Sequence, residues 1–496
     1  MNILVALCAV GAEKILGNEI KHLGYKLAGN RPGRVTFYGD DDALFRSNLC
    51  LRTADRVYLQ MAEYNASNFD ELYDGCYAVA WQDFLKKDSR VVIDKVRVYK
   101  SKLNSEHSIQ GMIQKAIYSK LGDVWHMRSM PETGDQVDVR VYMDEDKALV
   151  LLDLSGLPLH KRGYRTDGGI APLRETTAAI LLQEMMWRRK TPLHDPFCGS
   201  GTIAIEATLY AFNIAPGFGR RFALENLPIF DARRAQELKR AEAELIRTDV
   251  EVRVTGSDID PAAVNRAKKN AEYACVMAGR ALHMVDKSFH VPRPDFIQSD
   301  YADLAAPYES GLLICNPPYG ERLLDEDQTR KLYKNMGGLI KAFPGWDIGI
   351  VTAAEYFEEC FEHKANVIKA LKAGNLDTKF YEFKSGETAR KDGEDRPARS
   401  EGRGGRATSS EHTERPSRSD NRDGREDCQT RSKGRGNRAT GGEHTERPSR
   451  SDNRESREDR STRSEGRGHT LRGDKPMHRD RQSRPARRKE NGPEKF

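Results

Sequence analysis

Two short stretches of this sequence combine residue types that could bind and position a reactive ligand. The first, residues 195–202, reads Asp-Pro-Phe-Cys-Gly-Ser-Gly-Thr and is followed by an apolar run over residues 203–211. This order predicts a strand, a glycine turn that lets a ligand approach the backbone, and the N-terminus of a helix. Because the Gly-Lys-Ser/Thr ending of a triphosphate-binding loop is missing, an adenosine ligand without phosphates is favoured.

The second stretch, Asn316-Pro317-Pro318-Tyr319, follows the apolar residues 312–315. Such a run is typical of a buried parallel strand, and ligands in open α/β sheets bind at the carboxyl ends of the strands. The Asn316 side-chain oxygen and the Pro317 carbonyl could accept the hydrogens of an amine, while the two prolines stiffen the loop. Tyr319 could stack on a nucleic-acid base.

Together the two stretches resemble motifs I and IV of class I S-adenosylmethionine-dependent methyltransferases that act on exocyclic or amide nitrogens. The resemblance extends to residues 161–165, to residues 171–176 and to Gly320-Glu321-Arg322 directly after the second stretch. Over about residues 1 to 384, the sequence is similar to bacterial 23S ribosomal RNA guanine-N2 methyltransferases that carry a THUMP domain.

The resemblance implies S-adenosylmethionine as the cofactor and assigns roles to individual residues. Asp258 directly follows a predicted strand, where a carboxylate can accept hydrogen bonds from ribose hydroxyls, whereas Asp260 is expected to cap the next helix. Asp300 is expected to accept a hydrogen bond from the adenine amine. The expected cofactor-binding residues are Asp195, Phe197, Gly199, Gly201, Thr202, Asp258 and Asp300. The expected catalytic residues are Asn316, Pro317, Pro318 and Tyr319, with no metal.

The identity of the methylated base is less well determined. In the resembled enzymes the Asn-Pro-Pro-Tyr motif serves adenine N6, cytosine N4, guanine N2 and a glutamine amide. The THUMP-like region and Gly320-Glu321-Arg322 favour guanine N2 in RNA, with ribosomal RNA favoured over transfer RNA. A transfer RNA guanine-N2 methyltransferase, a DNA adenine-N6 methyltransferase and a non-catalytic RNA-binding protein remain as alternatives.

The elements that must position these residues indicate an α/β fold. A Rossmann-like class I methyltransferase core is preceded by an α+β region, ferredoxin-like and then THUMP-like. We predict a ferredoxin-like module over residues 1–65, a THUMP-like RNA-binding domain over 66–155, the methyltransferase domain over 156–384 and a disordered tail over 385–496. Predicted helices include residues 174–189, 233–247 and 330–343, and residues 136–143 and 147–153 should form a hairpin.

Two groups of basic residues are candidates for RNA contact. Arg97, Lys100 and Lys102 lie around a strand end and the loop that follows it. Lys161, Arg162 and Arg165 lie in a loop before Gly168-Gly169, where a substrate would cross between domains. Charge alone is also compatible with a solvated face for the first group and a structural connector for the second.

Composition places the excess charge in the tail. The chain has a formal net charge of +6, and residues 385–496 are rich in Arg, Ser and Gly with Phe496 as the sole aromatic residue. Such a segment cannot bury enough apolar surface to fold. Similar Arg-Ser-Glu/Lys-Gly-Arg-Gly sequences begin at Arg399, Arg431 and Arg463. The tail is expected either to solubilise the protein or to act as a weak RNA tether.

The remaining features favour a cytoplasmic protein. The 8 cysteines are widely separated without a Cys-x-x-Cys pair, which indicates reduced thiols and no metal site. No stretch has the length and hydrophobicity of a membrane span, so no membrane partner is expected. The oligomeric state is left open.

Overall fold

Two seven-stranded sheets form the framework of the protein in the computed structural model. The structure describes residues 1–165, 172–286, 288–319, 325–373 and 376–386, which lie in one compact unit. The predicted turn at Gly168-Gly169, the segment Gly320-Glu321-Arg322 and nearly all of the tail lie outside these residues.

The N-terminal sheet has the strand order β2-β3-β1-β4-β7-β6-β5. Its strands are β1 (Asn2–Leu7), β2 (Lys26–Arg31), β3 (Arg34–Gly39), β4 (Arg56–Asn65), β5 (Arg90–Tyr99), β6 (Gln136–Asp144) and β7 (Lys147–Asp153). Its helices are α1 (Glu13–His22), α2 (Asp41–Cys50), α3 (Phe69–Tyr77) and α4 (Glu106–Trp125). The predicted hairpin of β6 and β7 is present, with Asp144 paired to Lys147.

Strand β4 joins the ferredoxin-like and THUMP-like parts into one sheet. On one side Leu59 of β4 pairs with Leu4 of β1, and on the other side the same residue pairs with Leu152 of β7. The predicted boundary after residue 65 therefore coincides with the end of a strand that both parts share.

The second sheet has the order β10-β9-β8-β11-β12-β14-β13. Its strands are β8 (Leu193–Asp195), β9 (Val254–Asp258), β10 (Asp295–Gln298), β11 (Gly311–Cys315), β12 (Trp346–Thr352), β13 (Val367–Ala373) and β14 (Leu376–Phe383). Its helices are α5 (Glu175–Glu184), α6 (Thr202–Ala211), α7 (Ala232–Glu244), α8 (Pro261–Leu282), α9 (Glu326–Met336), α10 (Leu339–Ala342) and α11 (Phe357–Phe361). Strands β10, β9, β8, β11 and β12 are parallel, and β14 and β13 complete the sheet antiparallel.

This arrangement confirms the predicted fold class. Strand β11 lies between β8 and β12, and all five of its residues are buried, as expected for a central parallel strand covered on both faces. All three helices predicted above end earlier than expected, and α7 ends at Glu244 instead of residue 247. Helix α5 ends at Glu184, and after it Met186 adopts a positive φ of 49° and Trp187 is buried. The helix predicted over residues 330–343 is interrupted at Gly337 and Gly338.

The N-terminal sheet region and the second sheet region are joined by direct hydrogen bonds. The Gly217 backbone N–H donates to the Leu49 carbonyl at 2.9 Å, and the Arg52 guanidinium donates to the Ile214 carbonyl at 2.6 Å. The Leu224 N–H donates to the Leu154 carbonyl at 3.0 Å. The segment between α6 and α7 therefore forms hydrogen bonds that attach the N-terminal region to the second sheet region.

Candidate functional site

The carboxyl ends of four neighbouring parallel strands bring the predicted motif residues to one edge of the sheet. Asp195, the last residue of β8, pairs with Gly256 of β9, so Asp258 lies at the adjacent strand end. Gln298 of β10 pairs with Asp258, and Asp300 follows two residues later. Asn316 directly follows β11 on the other side of β8. Sequence order alone does not reveal this adjacency; the strand order creates it.

The two glycines of the turn after β8 serve different purposes. Both have positive φ, +52° at Gly199 and +81° at Gly201, a backbone conformation that residues other than glycine rarely adopt. A Cβ at Gly201 would approach the Phe296 ring to 2.9 Å and the Ala267 Cβ to 3.0 Å, so this glycine is required for packing. A Cβ at Gly199 would meet nothing within 4 Å. Gly199 therefore leaves open space beside the backbone, which a ligand could occupy.

Asp258 fixes this turn and remains partly accessible. Its Oδ2 accepts a hydrogen bond from the Gly199 N–H at 2.9 Å, and its Oδ1 accepts one from the Asp260 N–H at 3.0 Å. Each carboxylate oxygen has a further lone pair, which leaves capacity for hydroxyl donors. Asp260 accepts from Ala262 and Ala263 and caps α8, as predicted.

Asp195 is buried and forms a hydrogen bond with the backbone of the turn. It is 2% exposed, and its Oδ1 accepts a hydrogen bond from the Phe197 N–H at 3.1 Å. Burial, with a smaller contribution from the charge of Asp258, raises the pKa of Asp195 to about 8 against the lowering effect of the Phe197 hydrogen bond. In this position Asp195 shapes the backbone that faces the ligand.

The other predicted cofactor-binding residues flank the turn. The Phe197 ring packs against the Tyr301 ring with centroids 5.0 Å apart, which builds an apolar wall next to β8. Asp300 accepts a hydrogen bond from the Ala302 N–H at 3.0 Å. Thr202 is buried at the first position of α6, where its hydroxyl accepts a hydrogen bond from Arg165 at 2.8 Å.

Asn316 carries an uncompensated buried acceptor. Its Oδ1 is buried and has no hydrogen-bond partner within the described residues. An unpaired buried acceptor costs about 1–3 kcal/mol, and such atoms in native structures call for an explanation. An amine donor supplied by a ligand would satisfy this oxygen.

Tyr333, which sequence reasoning missed, supports the loop that carries Asn316. Its fully buried hydroxyl donates to the Pro318 carbonyl at 3.4 Å and lies 2.8 Å from the Thr352 hydroxyl. Tyr319 at the end of the loop is half-buried, and burial raises its pKa. A buried tyrosine on the inner face of α9 could have been anticipated, but its partner Pro318 could not.

The first group of predicted RNA-binding residues is exposed. Lys100 and Lys102 line an open groove of about 580 Å³ that also includes Glu106 and Asp146. Lys102 lies 3.8 Å from Asp146, and Arg97 lies 3.9 Å from Glu106. These contacts are exposed and long, so the basic groups remain accessible, and RNA contact by them remains a prediction.

In the second group, the structure contradicts the predicted RNA contact of Arg162. Arg162 is 2% exposed, and its guanidinium donates to the carbonyls of Leu159 and Arg52 and lies 3.6 Å from buried Glu206. Its charge is therefore used inside the fold and is not available to RNA. Sequence alone shows an arginine in a basic loop, whereas Glu206 lies on a different element.

Arg165 also has internal partners. One guanidinium nitrogen donates to the Leu173 carbonyl at 2.7 Å and to the Thr202 hydroxyl at 2.8 Å, and Nε lies 3.4 Å from Glu175. Arg165 therefore ties α5 to the start of α6, directly behind the glycine turn. Lys161 is exposed, and its contact with RNA remains a prediction.

The arrangement fits an adenosine-type ligand. Open space at Gly199, the accessible carboxylate of Asp258 and the apolar Phe197 lie at adjoining strand ends. In the described part of the chain, no cluster of three His, Cys, Asp or Glu residues could hold a metal ion. No helix among those same residues has both the length and the apolar character needed to cross a membrane.

Comparison with known proteins gives matches along most of the described chain. Residues 3–58 match the RlmL ferredoxin-like domain, residues 66–153 the THUMP domain and residues 162–382 the RMKL-like methyltransferase domain.

Solved structures are also similar to this chain over most of their length. SMU.472, a putative methyltransferase complexed with SAH, has a TM-score of 0.69 at 34% identity, and the match covers 78% of this chain and 99% of the SMU.472 chain. A predicted N6-adenine-specific DNA methylase from Listeria monocytogenes has a TM-score of 0.69 at 36% identity, covering 77% and 96%.

Curated relatives agree with these domain matches. The putative RNA methyltransferase YpsC of Bacillus subtilis is 37% identical over 386 residues, which cover 77% of this chain and 95% of that protein. The ribosomal RNA large subunit methyltransferase K/L of Photobacterium profundum is 30% identical over 405 residues, which cover 79% of this chain but only 55% of that protein. The chain thus spans about half the length of the K/L enzyme it matches. With these three domains in this order, the chain belongs to the family of RMKL-like methyltransferases that carry an RlmL ferredoxin-like domain and a THUMP domain.

Proposed function

We propose that this protein transfers a methyl group from S-adenosylmethionine to the exocyclic N2 of a guanine in RNA, with 23S ribosomal RNA as the favoured substrate. The observation that carries the proposal is the buried Oδ1 of Asn316, which has no hydrogen-bond partner among the described residues and lies beside the glycine turn of β8. An exocyclic amine has hydrogens that this oxygen can accept. The reaction is placed in the cytoplasm, where ribosomal RNA is found.

The cofactor-binding residues are those at the neighbouring strand ends. When bound, S-adenosylmethionine supplies an electrophilic methyl group on a sulfonium. Asp258 would accept hydrogen bonds from the ribose hydroxyls, Asp300 would accept one from the adenine amine, and Gly199 would let the ligand lie against the backbone. The remaining contributors are Asp195, Phe197, Gly201 and Thr202, which shape and support the turn.

The residues after β11 would prepare the target nitrogen. The lone pair of an exocyclic amine is delocalised into the base, so two acceptors that hold its hydrogens favour a more tetrahedral and more nucleophilic nitrogen. Asn316 Oδ1 and the Pro317 carbonyl supply these acceptors, and Pro318 is held in place by Tyr333. Fixed acceptors of this kind lower the barrier by positioning and by stabilising developing charge. Tyr319 would stack on the base.

The substrate class follows from the domains before the catalytic core. The THUMP domain, matched over residues 66–153, precedes the core and presents the exposed Arg97, Lys100 and Lys102. We assign RNA selection to this region and base selection to the methyltransferase domain, within the domain boundaries given above. The names of the curated relatives support RNA, and that of the K/L enzyme supports ribosomal RNA. The name of the Listeria structure instead favours adenine in DNA.

A labelled-methyl assay separates these substrates. Purified protein is incubated with labelled S-adenosylmethionine and, in parallel, with 23S ribosomal RNA, transfer RNA and duplex DNA. Label in 23S RNA, recovered as N2-methylguanosine after nucleoside digestion, is the expected result. Label in DNA as N6-methyladenine would overturn the proposal, as would the absence of transfer to every acceptor. N2-methylguanosine found only in transfer RNA would support the proposed reaction and would show that transfer RNA, not 23S ribosomal RNA, is the substrate.

A further inference from the structure

A basic groove lies at the opposite end of the second sheet from the candidate site. It has a volume of about 510 Å³ and is lined by Trp187, Arg188, Arg189, Lys190, Thr191, Pro192, Arg247 and Ser310. Pro192 directly precedes β8 and Ser310 directly precedes β11, so the groove lies at the amino ends of these strands. Strand β11 has 5 residues, which places the groove roughly 16 Å from the carboxyl end of this strand.

The turn that carries the cations is rigidly held. Trp187 is 5% exposed, and its indole N–H donates to the Thr191 carbonyl at 3.0 Å. The Thr191 N–H donates to the Arg188 carbonyl at 2.7 Å. Residues 188–190 are therefore displayed on a closed turn, so little backbone entropy would be lost when they bind a ligand.

The charges on this turn lack anionic partners within the described residues. Arg188, Arg189 and Lys190 form no ion pair there, although carboxylates are abundant and the nearby Glu184 is paired with Lys369. Arg189 packs against the Tyr210 ring at 4.6 Å and contacts the Asn213 side-chain oxygen at 3.4 Å. Arg188 and Lys190 are exposed. Such a concentration of unpaired positive charge favours an anionic ligand.

Capping of α5 does not account for these cations. The last carbonyls of the helix already accept backbone hydrogen bonds from the turn that follows. The N–H groups of Met185, Met186 and Trp187 donate to residues 181, 183 and 182 respectively. Residues 188–190 lie beyond this closed end, so capping of the helix leaves their charges available to another partner.

We propose that this groove binds the phosphate backbone of an RNA segment that flanks the methylated nucleotide. The inference rests on the proposed function only for the identity of the RNA. A structured RNA could place its target base at the carboxyl ends of the strands and a neighbouring segment in the groove. Lysine and arginine side chains near phosphates gain free energy by releasing condensed counterions, so the contribution depends on salt.

The test compares two double variants that remove the same charge. Arg188→Ala/Lys190→Ala removes the two exposed cations of the groove and retains Arg189, which packs on Tyr210. Arg233→Ala/Arg240→Ala removes two exposed cations of α7, each of which is paired with a glutamate of the same helix. Binding of each protein to a 23S RNA transcript is measured by filter binding over a series of salt concentrations.

We expect the groove variant to weaken RNA binding roughly tenfold at low salt and to reduce the magnitude of the logarithmic salt slope by about 2. The α7 variant should match the wild type. In the methylation assay the groove variant should raise KM for RNA and leave kcat at saturating RNA unchanged. An unchanged salt slope in the groove variant would overturn the proposal. So would displacement of the RNA by inorganic phosphate at constant ionic strength, which would indicate a small-anion site.

The outcome is independent of the catalytic assignment. If the wild type binds 23S RNA through the groove but transfers no methyl group to any acceptor, the proposed reaction fails and the groove assignment stands. If methyl transfer proceeds and the two variants bind RNA equally well, the groove assignment fails and the proposed reaction stands.

Discussion

The loop of residues 316–319 and the segment of residues 161–165 both carry buried polar groups. The two regions differ in whether these groups have hydrogen-bond partners among the described residues. In the loop, Asn316 Oδ1 has no hydrogen-bond partner among the residues that the structure describes. In the segment, the Arg162 guanidinium donates to two carbonyls through its terminal nitrogens, and its Nε, which forms no hydrogen bond, lies 3.6 Å from the carboxylate of Glu206. Arg162, which has three contacts inside the chain, contributes to the fold, whereas Asn316 Oδ1, which has none among the described residues, is available to a ligand.

The sharpest test of this contrast is Asn316→Ala. We expect methyl transfer to be abolished, with kcat lowered at least about 1,000-fold, because the acceptor for the target amine is gone. The free energy of unfolding should not fall, since the substitution removes a buried oxygen that has no hydrogen-bond partner among the described residues. Cofactor affinity should be unchanged, because the side chain contacts the target amine and not the cofactor. A methylation assay, urea denaturation and calorimetry of cofactor binding measure the three quantities. Wild-type activity would overturn the catalytic assignment, and a large loss of stability would show that Asn316 belongs to the fold.

The opposite result is expected for Arg162→Met. Glu206 would be left as a buried charge without its cation, which should lower the free energy of unfolding by about 3–5 kcal/mol. Lys161→Met, at the exposed neighbouring position, is the matched control and should change stability by less than about 0.5 kcal/mol. Denaturation curves for both variants test this. Equal stability of the two variants, with weaker RNA binding only in Arg162→Met, would restore the original RNA-contact prediction.

Asp258 and Asp260 allow the same comparison between a ligand-binding and a structural residue, with smaller expected effects. Asp258→Ala should weaken cofactor binding by about 1–3 kcal/mol because ribose hydroxyls would lose their acceptor. Asp260→Ala should leave affinity unchanged and lower stability by about 0.5–2 kcal/mol through loss of the α8 cap. Calorimetry and denaturation distinguish the two roles. Reversed phenotypes would assign the ribose contact to Asp260.

Asp195 predicts a pH effect on the fold. Its folded pKa of about 8 lies above the ordinary value of 3.8, so the folded state binds the proton more tightly than the unfolded state does. Its contribution to stability is therefore fully present below pH 4 and is lost as the pH rises to 8, by at most about 1.4 kcal/mol per pH unit. Asp195→Asn should lack this component, so the difference in the free energy of unfolding between wild type and variant should change with pH. Parallel curves for wild type and variant between pH 5 and 8 would contradict it.

The sequence was informative where short-range patterns determine the structure. The glycine turn, the cap at Asp260 and the strand before Asn316 depend on residue order and hydrophobic periodicity, and all three are present. The prediction of a class I core is likewise confirmed by the parallel strand order. Strand β2 was missed because residues 26–31 are mostly exposed and lack an alternating apolar pattern.

Long-range partners could not be predicted. Nothing in a single sequence indicates that Arg162 lies against Glu206, that Arg165 reaches Thr202 or that the Tyr333 hydroxyl supports Pro318. Each of these contacts joins different elements and depends on the packing of the whole core. For the same reason residue type alone did not separate the buried Arg162 from the exposed Lys161.

The position of β4 between β1 and β7 has a consequence for synthesis of the chain. The first four strands can pair as soon as residue 65 has left the ribosome, but the other edge of β4 stays open until β7, which begins at Lys147, has been made. At about 5–20 residues per second, the nascent chain carries this exposed edge for on the order of 10 s. An unpaired edge strand is a template for pairing with other chains. Slow translation over residues 66–146 should therefore increase aggregation of the nascent protein.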